Sequence, residues 1–400
     1  MSGSQLKIRN GNIITPDGIL TNHTLLITDG IITEISASDI DAPDAAETDA
    51  QGNYVSPGFI DIHVHGGGGS DFMDNTVEAF LNIANLHARH GTTAMFPTTL
   101  SCEKSDLLET LSVYEQANQL NTNGAQFLGI HIEGPYFEMS QRGAQDPRYI
   151  RNPDPGEYRE ILKTSRHIKR WSAAPELPGA IEFGRYMAAH HVLPAIAHTD
   201  AVYEEVAEAF ENGFTLATHF YSAMSGVTRR NAFRYAGVVE SAYLIDDMFV
   251  EIIADGVHLP APLLKLICKI KGPDRIALIT DAMRAAGMPD GESVLGSLKD
   301  GTRVIVEDGV AKMPDRQSFA GSVATFDRLV RNMVNLAGVS LTEAIRMAAT
   351  TPAKIMKIDG RKGSIEKGKD ADIVIFDKDI HIQQTIIAGK IIYSSDGNRN

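Results

Sequence analysis

The middle of this chain alternates between two kinds of segment. Eight short apolar runs, "FIDIHV", "TTAMFPT", "FLGIHIE", "IKRWSAAP", "LPAIAH", "FTLATH", "FVEIIAD" and "RIALITD", are separated by stretches such as "TVEAFLNIANLHARHG" and "AVYEEVAEAFENG". The runs read as strands. The intervening stretches space their apolar residues as helices do and close on Gly91 and Gly213, the residue a helix C-terminus favours. Eight such alternations predict a (β/α)8 TIM barrel, with a doubly wound open sheet as the structural runner-up. "SVATFDRLVRNMVNLAG" and "SLTEAIRMAATTPAKIM" read as its closing helices.

Both chain ends are different. "LKIRNGNIIT", "TLLITDGIITEI" and "GNYVSPG" at one end, and "GSIEKGKDADIVIFDKD" and "IQQTIIAGKIIYSS" at the other, alternate apolar runs with turn residues. Asn10-Gly11 and Asp29-Gly30 read as tight turns. The expected organisation is a small β-sandwich built from residues 1–56 and 357–400, around a catalytic barrel spanning 57–356.

Bulk properties narrow the function. A formal net charge of -14 argues against a nucleic-acid partner, though local arginines could still serve an anionic small substrate. Cys102 and Cys268 are the only cysteines, which excludes a disulfide framework and fits a reducing cytoplasm. The N-terminus lacks a signal-like apolar region, and no run approaches the ~20 residues of a membrane span.

"DIHVHGGGG" at 61–69 carries the chemistry. Strand side chains alternate, so His63 and His65 share a face with Asp61, and the glycines let the chain turn away without crowding. His-x-His alone is a weak signal. Four other strands, however, end on a ligand-type residue: Glu133, His198, His219 and Asp281. In a (β/α)8 barrel these ends form the active-site mouth. Imidazoles with carboxylates suit a divalent ion of the zinc or iron kind, which can lower the pKa of a bound water to about 7. Asp281 is the candidate acid/base that orients the water and returns its proton to a leaving group.

The motifs "PGFIDIHVHGGGGSDFMD", "HIEGPY", "AHTDA", "THFYSAM", "IIADGVHL", "LITDAM" and "FAGS" resemble those of the N-acetylglucosamine-6-phosphate deacetylases of the amidohydrolase superfamily, over nearly the whole chain. The resemblance implies removal of acetate from N-acetylglucosamine 6-phosphate, and a cytoplasmic homodimer. It implies one or two divalent metals per subunit, zinc first, with iron, manganese, cadmium or cobalt as alternatives. Glu133, His198 and His219 match the principal ligands, and His63 and His65 the pair holding a second ion. Asp281 matches the acid/base. His258, Arg230, Ser222, Ala223, Gly134 and Ala320 fall at substrate positions, Arg230 reaching in from a neighbouring subunit, with Arg229 and Arg234 close enough to compete for that role. Ser322 matches the same pocket segment or caps the next helix.

Two departures stand out. Arg142-Gly143-Ala144-Gln145 replaces the family's "KGAH", so a neutral Gln145 stands where a histidine polarises the acetyl carbonyl. Tyr221-Ser222-Ala223-Met224 replaces "FNAM". Alternative readings are a deacetylase of another N-acetyl-hexosamine phosphate such as N-acetylgalactosamine 6-phosphate, an N-acyl amino acid or cyclic amide hydrolase, and a catalytically silent scaffold. His131 is expected beneath the ligands, and Trp171 in the core.

Overall fold

A computed structural model describes residues 4–395; residues 1–3 and 396–400 of the terminal unit lie outside the described residues. The eight apolar runs form strands β1 (Phe59–Val64), β2 (Thr92–Pro97), β3 (Ile130–Glu133), β4 (Ile168–Ala173), β5 (Leu193–Ile196), β6 (Leu216–Ala217), β7 (Phe249–Ile252) and β8 (Ile276–Leu278). Neighbours pair in parallel and in chain order. A parallel bridge between Thr98 and His131 joins β2 to β3. The sheet curls until its ends meet: just past β8, the Asp281 N–H donates to the His63 carbonyl at 2.9 Å.

A helix follows every strand, from Val77–Arg89 after β1 to Ala261–Lys271 after β7 and Phe326–Asn332 after β8. The first shows why. The Thr76 hydroxyl caps it by accepting from the Ala79 N–H at 3.1 Å. Ala79, Phe80, Ile83, Ala84 and His87 then form one buried stripe against the sheet. Along β1 the pleat sorts the residues. Ile60 and Ile62 pack on the enclosed side with Ala94, Phe96, Ala195, Leu216 and Ala277 of other strands and with Ala353 and Ile355 of the last helix, while Phe59 and Val64 pack among the helices.

The chain ends build one continuous eight-stranded sheet. Tyr54–Pro57 pairs antiparallel with Ile373–Phe376, and Ile8, Leu25, Ile27, Val55, Ile373 and Ile386 form a core separate from that of the parallel strands. Asp29-Gly30 is the expected turn, with φ of 50° and 79°. Asn10-Gly11 is not a turn. It is a bulge inside the single strand Gln5–Thr15, and a Cβ on Gly11 would lie 2.5 Å from Val55 Cγ2. Glycine is needed there for close packing rather than for reversal.

The closing segments also differ from expectation. Ser322 ends a strand, Phe319–Ser322, and the helix begins at Phe326 before widening into a π-helical turn at Met333–Ala337. The Ser322 hydroxyl does not cap that helix; it donates to the Thr280 carbonyl at 2.5 Å. Phe319–Ser322 completes a four-stranded antiparallel sheet with Gly291–Leu295, Thr302–Glu307 and Val310–Lys312, inserted after β8 and not anticipated from the sequence. Cys102 and Cys268 are both free thiols. Among the described residues, no helix is long and apolar enough to cross a membrane.

Candidate metal centre and pocket

His63, His65, Glu133, His198, His219 and Asp281 converge at the C-terminal ends of five strands. His63 Nε2 lies 3.2 Å from His65 Nε2, and His219 Nε2 lies 3.2 Å from His198 Nε2. The Glu133 carboxylate lies between the two pairs, with Oε1 at 3.3 Å from His63, 3.2 Å from His219 and 3.6 Å from His198, and Oε2 at 3.4 Å from His65. Asp281 Oδ1 is 3.2 Å from His65 Nε2 and 3.5 Å from His63 Nε2. All six are buried.

The backbone places them by turning sharply where the strands end. His198, His219 and Asp281 adopt left-handed φ values of 48°, 32° and 46°. Such conformations in non-glycine residues cost of order 1–3 kcal/mol each and persist only where the surroundings enforce them. The glycines after His65 serve close approach: a Cβ on Gly66 would lie 2.4 Å from the Ser70 carbonyl oxygen, and one on Gly67 2.6 Å from Leu86 Cδ2. The buried His87 ring, 3.0 Å from the Gly66 carbonyl, pins this turn. Asp61 points elsewhere than the histidines. It accepts from the Thr280 hydroxyl at 2.5 Å and from the Thr280 N–H, binding β1 to β8, and burial carries its pKa up to about 7 against those hydrogen bonds.

Three ring nitrogens face backbone carbonyls: His65 Nδ1 at 3.2 Å from Thr98 O, His198 Nδ1 at 2.8 Å from Gln141 O and His219 Nδ1 at 3.1 Å from Ser222 O. A carbonyl only accepts, so each Nδ1 carries the proton and each Nε2 presents a lone pair. Imidazole lone pairs and carboxylate oxygens therefore face one another at contact distance in a buried space. That donor set fits a divalent cation. Within this centre two groups are compact enough to hold one, His63–His65–Glu133 and Glu133–His198–His219, with Glu133 common to both. The local field points the same way. Burial lowers the His63 pKa, but Glu133 and Asp281 overcome this and carry it up to about 10. Burial raises the Asp281 pKa, and His63 and His65 outweigh it and hold the carboxyl below its ordinary value.

Above this centre opens a cavity of about 440 Å3, lined by Gln145, Ser222, Ala223 and His258 as well as His65, Glu133, His198, His219 and Asp281. Asp255 accepts from His258 Nδ1 at 2.8 Å, which turns Nε2 outward. Three residues expected at the substrate are not among the lining. Gly134 stands behind it, its carbonyl accepting from Trp171 Nε1 at 2.8 Å. Ala320 is buried and faces away, while its strand neighbours Phe319 and Gly321 line the cavity. Arg230 lies on an exposed hairpin, Thr228–Arg230 paired with Phe233–Tyr235, together with Arg229 and Arg234.

Beneath the centre lies a polar layer of which the sequence reading found only His131. Arg170 on β4 and Glu251 on β7 form a fully buried bidentate pair. Arg170 also donates to the Ile62 carbonyl at 3.0 Å and the Thr218 hydroxyl at 2.8 Å, and Glu251 Oε2 lies 3.7 Å from His63 Nδ1. His131 belongs to this layer, its Nε2 2.7 Å from the Ser172 hydroxyl. The available signal was Arg170, beside Lys169, inside the apolar run "IKRWSAAP", and Glu251 inside "FVEIIAD", which ends on Asp255.

A parallel curled sheet with helices after its strands, and histidines and carboxylates gathered at the strand ends as candidate metal ligands, define a hydrolase of the amidohydrolase kind. The chain matches the amidohydrolase family over residues 54–392 and belongs to it. It is 35% identical over 385 residues to an N-acetylgalactosamine-6-phosphate deacetylase of Escherichia coli O157:H7, covering 96% of this chain and 98% of that one. It is 33% identical to an N-acetylglucosamine-6-phosphate deacetylase of Lysinibacillus sphaericus, covering 96% and 97%. A crystal structure of N-acetylglucosamine-6-phosphate deacetylase from Pasteurella multocida superposes with a TM-score of 0.90 at 28% identity, over 98% of this chain and 100% of that one.

Proposed function

We propose that this protein is a divalent-metal-dependent deacetylase that hydrolyses the acetamide of N-acetylglucosamine 6-phosphate to glucosamine 6-phosphate and acetate. The observation that carries the reading is the buried set of outward-facing Nε2 lone pairs around Glu133, with Asp281 beside them. Glu133, His198 and His219 would hold one ion, and His63, His65 and Glu133 a second. Zinc is the first choice, with iron, manganese, cadmium or cobalt as alternatives. Such an ion supplies Lewis acidity and a water that ionises near pH 7.

Asp281 is held ionised, as a proton acceptor must be. It takes the proton of the attacking water and returns it to the sugar nitrogen as the C–N bond breaks. Gln145 has one amide N–H engaged with Glu133 and a second to offer the acetyl oxygen. His258 Nε2, the Ser222 hydroxyl and the backbone around Ala223 are the candidates for phosphate. Arg230 would join them from a second subunit of a homodimer. The exposure of Phe233 beside it, 72%, supports a hairpin that another copy covers.

The proposed frame is a closed (β/α)8 barrel over residues 57–356, with a β-sandwich assigned to the two chain ends, 1–56 and 357–400, whose described part is the eight-stranded sheet. Two free cysteines fit a cytoplasmic protein. The similarity to an N-acetylgalactosamine-6-phosphate deacetylase favours a second reading, in which the C4 epimer is the preferred sugar. The deciding experiment measures acetate release from both N-acetyl-hexosamine 6-phosphates and from their unphosphorylated sugars, by protein stripped with a chelator and reloaded with zinc, iron, manganese, cadmium or cobalt. Phosphate-dependent release restored by a metal is expected. No release from either phosphorylated sugar by reloaded protein overturns the reading.

A further inference from the structure

The Gln145 amide is fixed at both ends. The Ser101 N–H donates to Gln145 Oε1 at 2.9 Å, and Gln145 Nε2 donates to Glu133 Oε2 at 2.8 Å. Neither partner leaves a choice of orientation. A backbone N–H can only donate and a carboxylate can only accept, so the amide cannot turn over without losing both bonds. Gln145 is 6% exposed and Glu133 2% exposed, so water does not compete for either bond.

We infer that Gln145 is the positioning residue for Glu133, holding its carboxylate in the rotation that turns Oε2 to His65 and Oε1 to His63, His198 and His219. Gln145 grips Oε2, the oxygen 3.4 Å from His65, and leaves Oε1, which lies 3.3 Å from His63, 3.2 Å from His219 and 3.6 Å from His198, as the oxygen common to both candidate groups. A carboxylate free to rotate about its last bond would lose this assignment of its two oxygens. A neutral amide suits the task because it orients the carboxylate without cancelling its negative charge, as a cationic side chain would. Ser101 is the anchor: it lies four residues past the end of β2, so the orientation of Glu133 on β3 is referred to the segment that leaves the neighbouring strand.

The inference rests on the metal part of the reading above and not on the sugar, so its test contains no sugar. Chelator-stripped wild type, Gln145→Met and Gln145→His are titrated with Zn2+ in competition with a chromophoric chelator, and their melting is followed before zinc is added. Methionine keeps the length and loses both hydrogen bonds. A neutral imidazole restores one donor for Glu133. Losing a partner that orients a ligand weakens metal binding by about 10–100-fold. The expected result is that loss in Gln145→Met, recovery in Gln145→His, and similar melting of all three before zinc. Wild-type affinity in Gln145→Met overturns the inference. Equal weakness of both variants with lowered melting also overturns it, because the residue then acts by packing. Failure of the wild type to bind zinc overturns the metal reading itself.

Discussion

The buried pair Arg170–Glu251 is the most consequential contact outside the cavity, and its removal has a calculable sign. Both side chains have no exposed surface. Arg170 keeps two other acceptors, the Ile62 carbonyl and the Thr218 hydroxyl, but Glu251 is its counter-charge. Replacing Glu251 with leucine therefore leaves a guanidinium dry and unbalanced. Two unit charges about 4 Å apart attract by about 4 kcal/mol at the effective dielectric suited to protein interiors. Breaking buried pairs from one side costs about 3–5 kcal/mol. Glu251→Leu is expected to lower unfolding free energy by that amount, read from urea denaturation as a shift of the midpoint with an unchanged slope. Arg170→Met/Glu251→Leu removes both charges and should regain most of the loss, since apolar replacement of a whole buried pair is often neutral or stabilising by about 1–4 kcal/mol. A single mutant within about 1 kcal/mol of wild type, or a double mutant as unstable as the single, would refute the reasoning.

Further outcomes follow from the same geometry. Asp281→Asn keeps the side-chain shape but cannot accept a proton; acetate release should fall by about 10²–10⁴-fold while metal content, measured by elemental analysis, is unchanged. Burial lowers the His87 pKa from its ordinary 6.5 to about 4. The unfolded chain thus binds a proton the folded one refuses, so stability is complete above pH 6.5 and falls as pH drops toward 4, by about 3 kcal/mol in all. His87→Gln should flatten that part of the urea-midpoint profile, and an unaltered slope would count against it. Adding Zn2+ at about 100 times its dissociation constant to stripped protein should stabilise the fold by about 2.7 kcal/mol, visible as a raised melting temperature.

The parallel strands were legible because each is a compact apolar run, and runs of that kind survive any choice of register. Residues at strand ends were legible for the same reason: Glu133 closes β3, and His63 and His65 lie at the end of β1. Finer placement was not. Ala320 and Phe319 are adjacent in one strand, and a shift of one residue exchanges the buried face for the cavity face, which no motif can resolve. The inserted sheet was missed although Asp308-Gly309 carries its turn, with φ of 55° and 73°. Asn10-Gly11 has the same chemistry and makes a bulge instead. The dipeptide permits left-handed backbone, and the surrounding pairing decides its use. The hairpin turn at Asn231-Ala232, with φ of 47° and 70°, takes that backbone with an alanine, which propensity disfavours.

What the sequence could least convey is why the centre calls for positive charge. Composition gives histidines and carboxylates but not which ring nitrogen faces inward. That is decided by Thr98 O, Gln141 O and Ser222 O, three backbone carbonyls that any residue could supply. They turn three imidazoles so that lone pairs face Glu133 and Asp281, and Arg170 has already balanced Glu251 in the layer below. The two remaining carboxylates leave two negative charges in the proposed ion site. One divalent cation balances them. A second would leave an excess positive charge of two, which favours an anionic oxygen in the cavity. The number of ions and the affinity of the pocket for anions are thus linked quantities, and Glu133, shared by both candidate groups, is where the link is made.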